Sequence, residues 1–317
     1  SFALFYPEKR PFFLEGADYF NTQLQVLYTR QINDPDAGVR VTGGTEHGAY
    51  GAFIARDNTV SLLVPGSLGS YFEPFEMKTD VAVGRYRHNF GENTTIGVIG
   101  TFRHGDDYSN DVAGFDGRWQ KGPHTLTGQV LFSDSKYPSS LGFADETPSG
   151  HAARAYYGYS NRDWSFNTWH VDIDPGFRAD LGFIGQVGYD KSLIGGGRTW
   201  YGDGGEKIKR WDIYADFDIT HRADGQLLER EWEGSFSLQG PMQSNASLVW
   251  MARDRFWEGS LFDEYYVAVS GNFIPKSGVR LGGRIEHGDR IDLRAVALGK
   301  SLTINTWSEI DLGRGLN

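Results

Sequence analysis

The sequence has 317 residues, of which 39% are hydrophobic, 15% aromatic and 23% charged, and it carries a formal net charge of −10. It contains no cysteine, which excludes a disulfide framework, a thiolate metal site and a cysteine nucleophile. An acidic chain lacks the basic footprint of a general nucleic-acid-binding protein, so we predict no nucleic-acid partner. No window of the sequence approaches the roughly 18 uninterrupted apolar residues of a membrane-spanning helix.

The N-terminal segment differs in composition from the rest of the chain. Residues 1–6 lack the basic head and apolar centre of a signal peptide, so we expect the chain to begin within a longer precursor. Residues 7–16 are rich in charge, aromatic side chains and proline, and the prolines exclude a central strand. We therefore predict a connector over residues 1–22, whose informative residues are Pro7, Glu8, Lys9, Arg10, Pro11, Phe12 and Phe13. Phe12, Phe13 and Leu14 would anchor it, whereas its charged residues would be either paired or solvated.

Residues 211–220 show most clearly the pattern that dominates the remaining sequence. Apolar residues alternate there with aspartates. The apolar residues are Trp211, Ile213, Ala215, Phe217 and Ile219, and the aspartates are Asp212, Asp216 and Asp218. Side chains of a strand alternate with a period of two, so a strand collects the aspartates on one face. A helix would scatter them around its axis. The pattern predicts a strand with one apolar and one acidic face.

Similar segments recur along residues 23–317, and we predict roughly 14–18 strands joined mostly as hairpins. Short turns are predicted at 91–93, 121–123, 162–163, 240–241 and 275–278, and longer connections at about 133–151, 191–210 and 254–263. The segments are close to the roughly 9–11 residues of a tilted membrane strand. The sequence therefore predicts an all-β fold, an antiparallel transmembrane β-barrel with short periplasmic turns and longer extracellular loops.

The two strand faces would have different surroundings in such a barrel. Burying unpaired charges in a dry core is costly, so we predict that the charged face lines a wet lumen, with Asp212, Asp216, Asp218, Glu231, Arg280, Arg284 and Arg294. Lipid would contact the opposite face, including Trp211, Ile213, Phe217, Leu281, Ile285, Leu293 and Ile304. Tryptophans near predicted strand ends, among them Trp119, Trp250 and Trp307, are typical of aromatic girdles. The alternative is a soluble protein whose aromatic residues fill a core.

The N-terminal motif also carries a resemblance to a known family. Residues 7–16 (PEKRPFFLEG), Tyr19-Phe20 and residues 27–32 (LYTRQI) resemble bacterial outer-membrane proteins of undefined function, the domain of unknown function 5916 type. The resemblance implies a secretion signal, then a carbohydrate-binding module like family nine, then a β-barrel over residues 23–317. The chain departs from the family at Gln31, where a second arginine is usual, and in lacking a terminal aromatic strand. We therefore expect residues to be missing at both ends.

Candidate chemistry rests on acidic clusters and histidines. Asp106 with Asp107, and Asp172 with Asp174, place oxygen ligands close together, as Ca²⁺ requires. Neither cluster has EF-hand spacing, and acidic loops are common without a bound ion. The sequence therefore leaves open both a Ca²⁺ cofactor and solvated acidic loops at these positions. His170 lies two residues from Asp172, but no nucleophile accompanies the pair, and no catalytic residue is assigned.

Three functional hypotheses follow. The first is an outer-membrane barrel acting in transport, anchoring or a larger envelope assembly, with outer-membrane lipid, lipopolysaccharide and partner proteins as its contacts. The resemblance adds carbohydrate handling to it. The others are a membrane-embedded hydrolase and a soluble all-β carbohydrate-binding protein. Charges of both signs on the predicted lumen face are compatible with an open pore and with a plugged barrel.

Overall fold

The structure, a computed structural model, describes residues 8–14, 17–143, 146–203, 205 and 207–311. A short helix, α1 (Pro11–Leu14), and 3-10 turns at Ala17–Phe20, Thr29–Gln31 and Ser139–Leu141 accompany the strands. The strands of the described residues are β1 (Pro35–Thr45), β2 (Gly48–Asp57), β3 (Val60–Pro65), β4 (Ser70–Phe75), β5 (Thr79–Phe90), β6 (Thr94–Gly105), β7 (Tyr108–Lys121), β8 (His124–Lys136), β9 (Ser149–Ser160), β10 (Trp164–Ile173), β11 (Tyr189–Tyr201), β12 (Arg210–Arg222), β13 (Leu227–Gln239), β14 (Asn245–Trp257), β15 (Ser260–Lys276), β16 (Val279–Asp292) and β17 (Ala297–Ile310). None of the helical segments in these ranges has the length and hydropathy needed to cross a membrane.

Fifteen of the strands form one antiparallel sheet. Each strand pairs with its neighbour in sequence, except that β3 and β4 form a separate hairpin between β2 and β5. The prediction of an all-β antiparallel fold is confirmed, and the seventeen strands found among the described residues lie within the predicted range. The strand order begins at β1 and ends at β17, so the sheet is open within the described residues.

The predicted short turns are hairpin connections, whereas two predicted long connections are wrong. Gly91, Gly122 and Gly278 supply the positive φ of such turns, at 65°, 57° and 77°. Residues 191–201 belong to β11, and 254–263 reduces to the two-residue turn Glu258-Gly259 between β14 and β15. The longest connections are instead 58–78, which contains the β3–β4 hairpin, and 174–188.

The physical reasons for these two errors differ. The glycines of residues 195–197 were interpreted as loop residues, but a Cβ at Gly195 would lie 2.5 Å from the hydroxyl of Tyr214. Glycine makes room there for a cross-strand ring. Glu258 and Gly259 both have positive φ (45° and 82°), which is the backbone of a tight hairpin turn. The usual Asn-Gly or Asp-Gly signal is absent from this turn, so the sequence did not reveal it.

The chain divides into two units, unit 1 (residues 1–157 and 170–190) and unit 2 (residues 158–169 and 191–317). Unit 1 contains an apolar cluster in which the segment before β1 packs on the sheet. The cluster is formed by Phe13, Phe20, Leu27, Ile32, Phe53, Val81, Val83 and Leu181. A second cluster joins the β3–β4 hairpin to Tyr108 and Tyr137. The face of the unit 1 strands that carries these apolar residues, together with buried charges such as Arg103, is therefore covered by the chain itself.

Strands β12–β15 of unit 2 have an inverted distribution of apolar and charged side chains. Their apolar face is exposed and includes Trp211, Ile213, Trp232 and Val267, whereas Asp218 and Glu264 on the opposite face are only 4% and 2% exposed. The exposed fraction reaches 59% for Trp232. The same apolar face continues through Ile285 of β16 to Ile304 of β17, a strand that is exposed on both faces over most of its length. Of the other residues predicted to face lipid, Phe217 and Leu281 are half-buried and Leu293 lies exposed in the β16–β17 turn.

Candidate functional site

The polar face of unit 2 is defined by cross-strand partners, which share one side of a sheet. Asp218 of β12 lies opposite Glu231 of β13, which lies opposite Arg253 of β14, which in turn lies opposite Glu264 of β15. Strand periodicity then places Asp212 and Asp216 on the same face as Asp218. We call this surface the polar face.

Two cations hold a cluster of carboxylates at one end of the polar face. Lys191 Nζ lies 2.9 Å from Asp218 and 3.4 Å from Glu229. The Arg253 guanidinium lies 2.7 Å from Glu264, 3.4 Å from Glu231 and 3.6 Å from Glu229. Glu264 also accepts a hydrogen bond of 2.8 Å from the backbone N–H of Ile291. We call this group, with Asp216 and Glu233, the charged cluster.

Negative charge is in excess in the charged cluster. Asp216 and Glu233 lie directly opposite each other across β12 and β13, an arrangement that is destabilising unless a cation or water intervenes. Counting them, six carboxylates face two cations, namely Asp216, Asp218, Glu229, Glu231, Glu233 and Glu264 against Lys191 and Arg253. The surplus of four negative charges favours cations at this surface.

The structure distributes the predicted lumen residues over several environments. Asp212 pairs with Arg210 at 3.3 Å, and Arg284 pairs with Glu286 of its own strand at 2.8 Å. Arg280 is exposed and lies 3.6 Å from Glu309. Arg294 lies in the turn between β16 and β17 and is exposed, so it is not on a strand face. The arginines near 278–296 therefore do not neutralise the acidic strands β12 and β13.

Sequence reasoning missed the residues that do neutralise these strands. Lys191 and Arg253 lie within or beside the segments that were interpreted as long loops. A signal was present for Arg253, since it continues the alternation of Ser247, Val249 and Met251 along β14. Because residues 254–263 were predicted as a long connection, the strand was expected to end at Arg253 and this signal was not used.

A polar cavity of about 500 Å³ lies farther along the same face of unit 2. Its wall combines amide and hydroxyl side chains with charged residues and an indole ring, including Asp212, Ser237, Ser270, Asn272, Arg284, Asn305 and Trp307. Its volume falls within the range of roughly 300–1,000 Å³ that is usual for small-molecule sites. Trp307 was predicted in an aromatic girdle, but its cross-strand neighbours place it on the polar face.

The connector is held in unit 1 by charged hydrogen bonds and aromatic contacts. Arg10 donates to the backbone carbonyls of Ile32 (2.6 Å) and Thr29 (2.8 Å), and Glu8 accepts from Arg10 (2.8 Å) and from the Thr29 hydroxyl (2.7 Å). Partial burial raises the pKa of Glu8, but the hydrogen bonds from Arg10 and Thr29 outweigh burial and lower it from 4.5 to about 2. We call these contacts the connector clasp.

The other connector residues occupy three kinds of environment. Phe12 and Phe13 pack edge-on against Phe53 of β2, with ring centroids 6.3 and 5.9 Å away. Lys9 and Pro11 are exposed, and so is Leu14, although it was predicted as an anchor. Pro7 lies outside the described residues.

A buried ion pair fixes the segment before β1 to the sheet of unit 1. Arg103 and Asp57 have fully buried side chains and lie 2.6 Å apart. Arg103 also donates to the Thr79 hydroxyl (3.1 Å) and the Gln31 carbonyl (3.2 Å). Asp57 accepts from the backbone N–H of Asp34 at 2.7 Å. The pair therefore joins the segment preceding β1 to strands β2, β5 and β6.

The connection 174–188 is tied to unit 1 through Asp180. The buried carboxylate accepts hydrogen bonds from the hydroxyls of Tyr108 (2.7 Å) and Tyr137 (3.0 Å), and its backbone N–H donates to Asn110 (2.9 Å). Burial raises the pKa of the Asp180 carboxyl, against the lowering effect of these hydroxyls. Burial and the nearby Asp180 charge raise the pKa of Tyr137 well above its ordinary value. These bonds hold the connection over the polar side of β7 and β8.

One group of metal-ligating side chains is present among the described residues. His151, Asp172 and Asp174 of unit 1 have ligand atoms within 4.8 Å of one another. Asp174 already pairs with His151 Nδ1 at 2.5 Å and accepts the backbone N–H of His151 at 3.0 Å. Asp106 and Asp107 lie in the β6–β7 turn, where Asp107 pairs with Lys136. Two of the four predicted ligands are thus brought together with a histidine, and two are elsewhere.

Two histidine–carboxylate pairs of the described residues have no hydroxyl nucleophile bonded to the ring. His104 lies 2.6 Å from Asp111, and His151 pairs with Asp174. Within the described ranges, no serine or threonine hydroxyl hydrogen-bonds to the ring of His104 or His151. The hydrolase hypothesis thus gains no catalytic group from these pairs.

Comparison with known proteins gives distant structural likeness and no match in sequence. No protein-family model matches the sequence, and no curated protein matches it. Among solved structures, the chain is similar to the crystal structure of Acinetobacter baumannii OccAB3, with 11% sequence identity and a TM-score of 0.40. The similarity covers 82% of this chain and 80% of that one. At this TM-score, the likeness carries no conclusion about function.

Proposed function

We propose that this chain is the membrane-spanning part of a bacterial outer-membrane β-barrel and that it admits small polar solutes along the polar face of unit 2. The observation that carries the proposal is the inverted distribution on strands β12–β15, where large apolar side chains are exposed and the carboxylates of Asp218 and Glu264 are buried. A soluble all-β protein would bury the apolar face, since each large apolar side chain gains roughly 1.5–3 kcal/mol on leaving water. In a membrane, lipid hydrocarbon removes an exposed apolar face from water and so provides the same gain in free energy.

A membrane location makes closure of the sheet part of the proposal. Backbone N–H and C=O groups cannot remain unpaired in hydrocarbon, so strand edges must be paired. We propose that the edges of β1 and β17 are paired in the membrane and that the sheet is then a closed barrel. Lipid and lipopolysaccharide would contact its outer face.

Two observations bear on transport and anchoring. The surplus of negative charge in the charged cluster of unit 2 favours entry of cations and polar solutes over anions. In unit 1, the segment before β1 and the connection 174–188 cover one face of the sheet through apolar contacts and hydrogen bonds, which favours anchoring of an upstream module. We propose that the chain combines the two roles. The carbohydrate-binding module and an envelope complex are proposals that rest on the resemblance alone.

The membrane proposal is tested with adjacent residues on opposite faces of β17. Ile304 is exposed on the apolar face, and Asn305 lies opposite Arg284 on the polar face. Ile304→Lys should reduce the free energy of folding into lipid vesicles by roughly 2–4 kcal/mol. Asn305→Glu, which places an opposite charge across from Arg284, should have little effect. Equal effects, or recovery of the wild-type protein in the soluble fraction of cells, would contradict the proposal.

Solute passage is tested in planar bilayers. The purified protein should show a cation-preferring conductance, because carboxylates concentrate cations at a pore wall. The double variant Asp216→Asn/Glu233→Gln removes the opposed carboxylates and should lower this preference. The matched control is Asp80→Asn, because Asp80 is exposed in unit 1 and pairs with Arg56. Silent bilayers with correctly inserted protein would reject passage and leave the anchor.

A further inference from the structure

Trp307 presents a flat aromatic surface on the polar face of unit 2. It lies opposite Gly282 across β16 and β17. A Cβ at Gly282 would lie only 2.3 Å from Cζ2 and 2.5 Å from Cε2 of the indole, so the ring lies flat across the glycine. One ring face covers the backbone, and Trp307 remains 46% exposed. The exposed ring forms part of the polar cavity.

Each charge that borders this cavity has an opposite charge within ion-pair distance. Arg210 lies 3.3 Å from Asp212, and Arg284 lies 2.8 Å from Glu286, which also pairs with Arg290. The charged cluster is elsewhere, since Asp218 follows Asp212 by six residues along β12, which corresponds to about 20 Å of strand. The cavity is therefore locally close to neutral, although it belongs to an acidic face.

Hydrogen-bonding groups of the cavity remain available for a ligand. The side-chain amides of Gln239, Asn272 and Asn305 line it, and none of the three bonds to another group within the described part of the chain. Ser247 and Ser270 share a hydrogen bond of 2.7 Å between their hydroxyls. Amides and hydroxyls both donate and accept hydrogen bonds. The wall therefore offers donors and acceptors of both kinds beside an aromatic ring.

We infer that this cavity binds an uncharged pyranose sugar, as a mono- or disaccharide. A pyranose has hydroxyls around its edge, which match amides and hydroxyls, and a face of C–H bonds. The electron-rich face of an indole attracts the positive edge of C–H bonds. Trp307 would contact the sugar face, while Asn272 and Asn305 would bind its hydroxyls. The inference rests on the proposed function and names the class of solute that the polar face admits.

Other ligand classes fit the cavity less well. A carboxylate ligand would have to compete with Asp212 and Glu286 for the guanidinium groups of Arg210 and Arg284. A cation would be attracted more strongly to the charged cluster, where carboxylates outnumber cations. The neutral amides of the cavity provide neither kind of ion with a counter-charge.

The test is calorimetric binding of maltose, cellobiose and N-acetylglucosamine to the full chain, purified in detergent. At least one of these sugars should bind, and glucuronate and glucosamine, which are charged, should bind more weakly. Trp307→Ala should weaken binding about tenfold, the loss expected when a ring contact of about 1.4 kcal/mol is removed. Trp250→Ala is the matched control, because Trp250 also lies across a glycine, Gly234, but on the apolar face.

A second variant guards against misfolding of the first. Asn305→Ala leaves the indole in place and should also weaken sugar binding. The Trp250→Ala protein should bind sugar as tightly as the wild type does. The inference is overturned if no sugar of the panel binds, if glucuronate or glucosamine binds best, or if Trp307→Ala and Asn305→Ala both bind like the control. Binding is measured without a membrane, so its failure is separable from failure of vesicle insertion or conductance.

Discussion

Arg56 and Asp57 are neighbours in β2, and each forms an ion pair on a different face of unit 1. Asp57 pairs with Arg103 at 2.6 Å, and both side chains are fully buried. Arg56 pairs with Asp80 at 2.8 Å, and these side chains are 62% and 68% exposed. The two pairs therefore share strand β2 and the same charge types but differ in burial, which makes them a matched test of which face is enclosed.

The expected loss in the free energy of unfolding depends on which groups lose a partner when each arginine is replaced. Arg103→Met removes the cation from a buried carboxylate and also leaves the Thr79 hydroxyl and the Gln31 carbonyl without this donor. Loss of one partner from a buried pair costs about 3–5 kcal/mol. Asp57 keeps its bonds from the backbone of Asn33 and Asp34, so we expect the lower half of that range. Arg56→Met should leave stability unchanged, because an exposed pair is screened by solvent.

The assay is denaturant unfolding of the refolded protein in detergent micelles, followed by tryptophan fluorescence. Arg103→Met should lower the unfolding midpoint, and Arg103→Met with Asp57→Asn should cost less than the sum of the two single changes, because the pair is then removed together. Hydrogen exchange should show the loss at residues 31–34, which the pair holds. Equal, small effects of Arg103→Met and Arg56→Met would refute the assignment of the enclosed face.

Three further predictions concern single carboxylates and one arginine. Glu8→Gln should weaken the connector clasp by about 1 kcal/mol at neutral pH. Because the pKa of Glu8 is lowered to about 2, the wild-type clasp should weaken as the pH falls from 4.5 to 2. Proteolysis of the connector measures both effects. Because burial raises the pKa of Asp180 in the folded state, docking of the connection 174–188 should weaken as pH rises through that pKa, and Asp180→Asn should abolish this dependence in hydrogen exchange. Arg253→Met leaves buried Glu264 without its cation and should cost about 2–3 kcal/mol in denaturant unfolding, with partial recovery by adding Glu264→Gln.

The sequence alone predicted the class of fold and the two faces of most strands. Period-two alternation is a local property, so Trp211 to Ile219 could be assigned to a face without knowledge of any partner strand. The short turns near Gly91, Gly122 and Gly278 were equally readable, because positive φ favours glycine. Phe12 and Phe13 were predicted as anchors from their position in a segment that could not be a strand.

Only the tertiary structure decided which charges meet and which face of the unit 1 strands is covered by the segment before β1. Lys191 and Asp218 are 27 residues apart in sequence, and register alone brings them to 2.9 Å. Register likewise places Trp307 over Gly282 and Tyr214 over Gly195, so glycines that resemble loop residues are sites of ring packing. Cross-strand pairing depends on partners distant in sequence, whereas alternation depends only on neighbours. The sequence therefore determines the faces of the strands, and the pairing of strands determines the site.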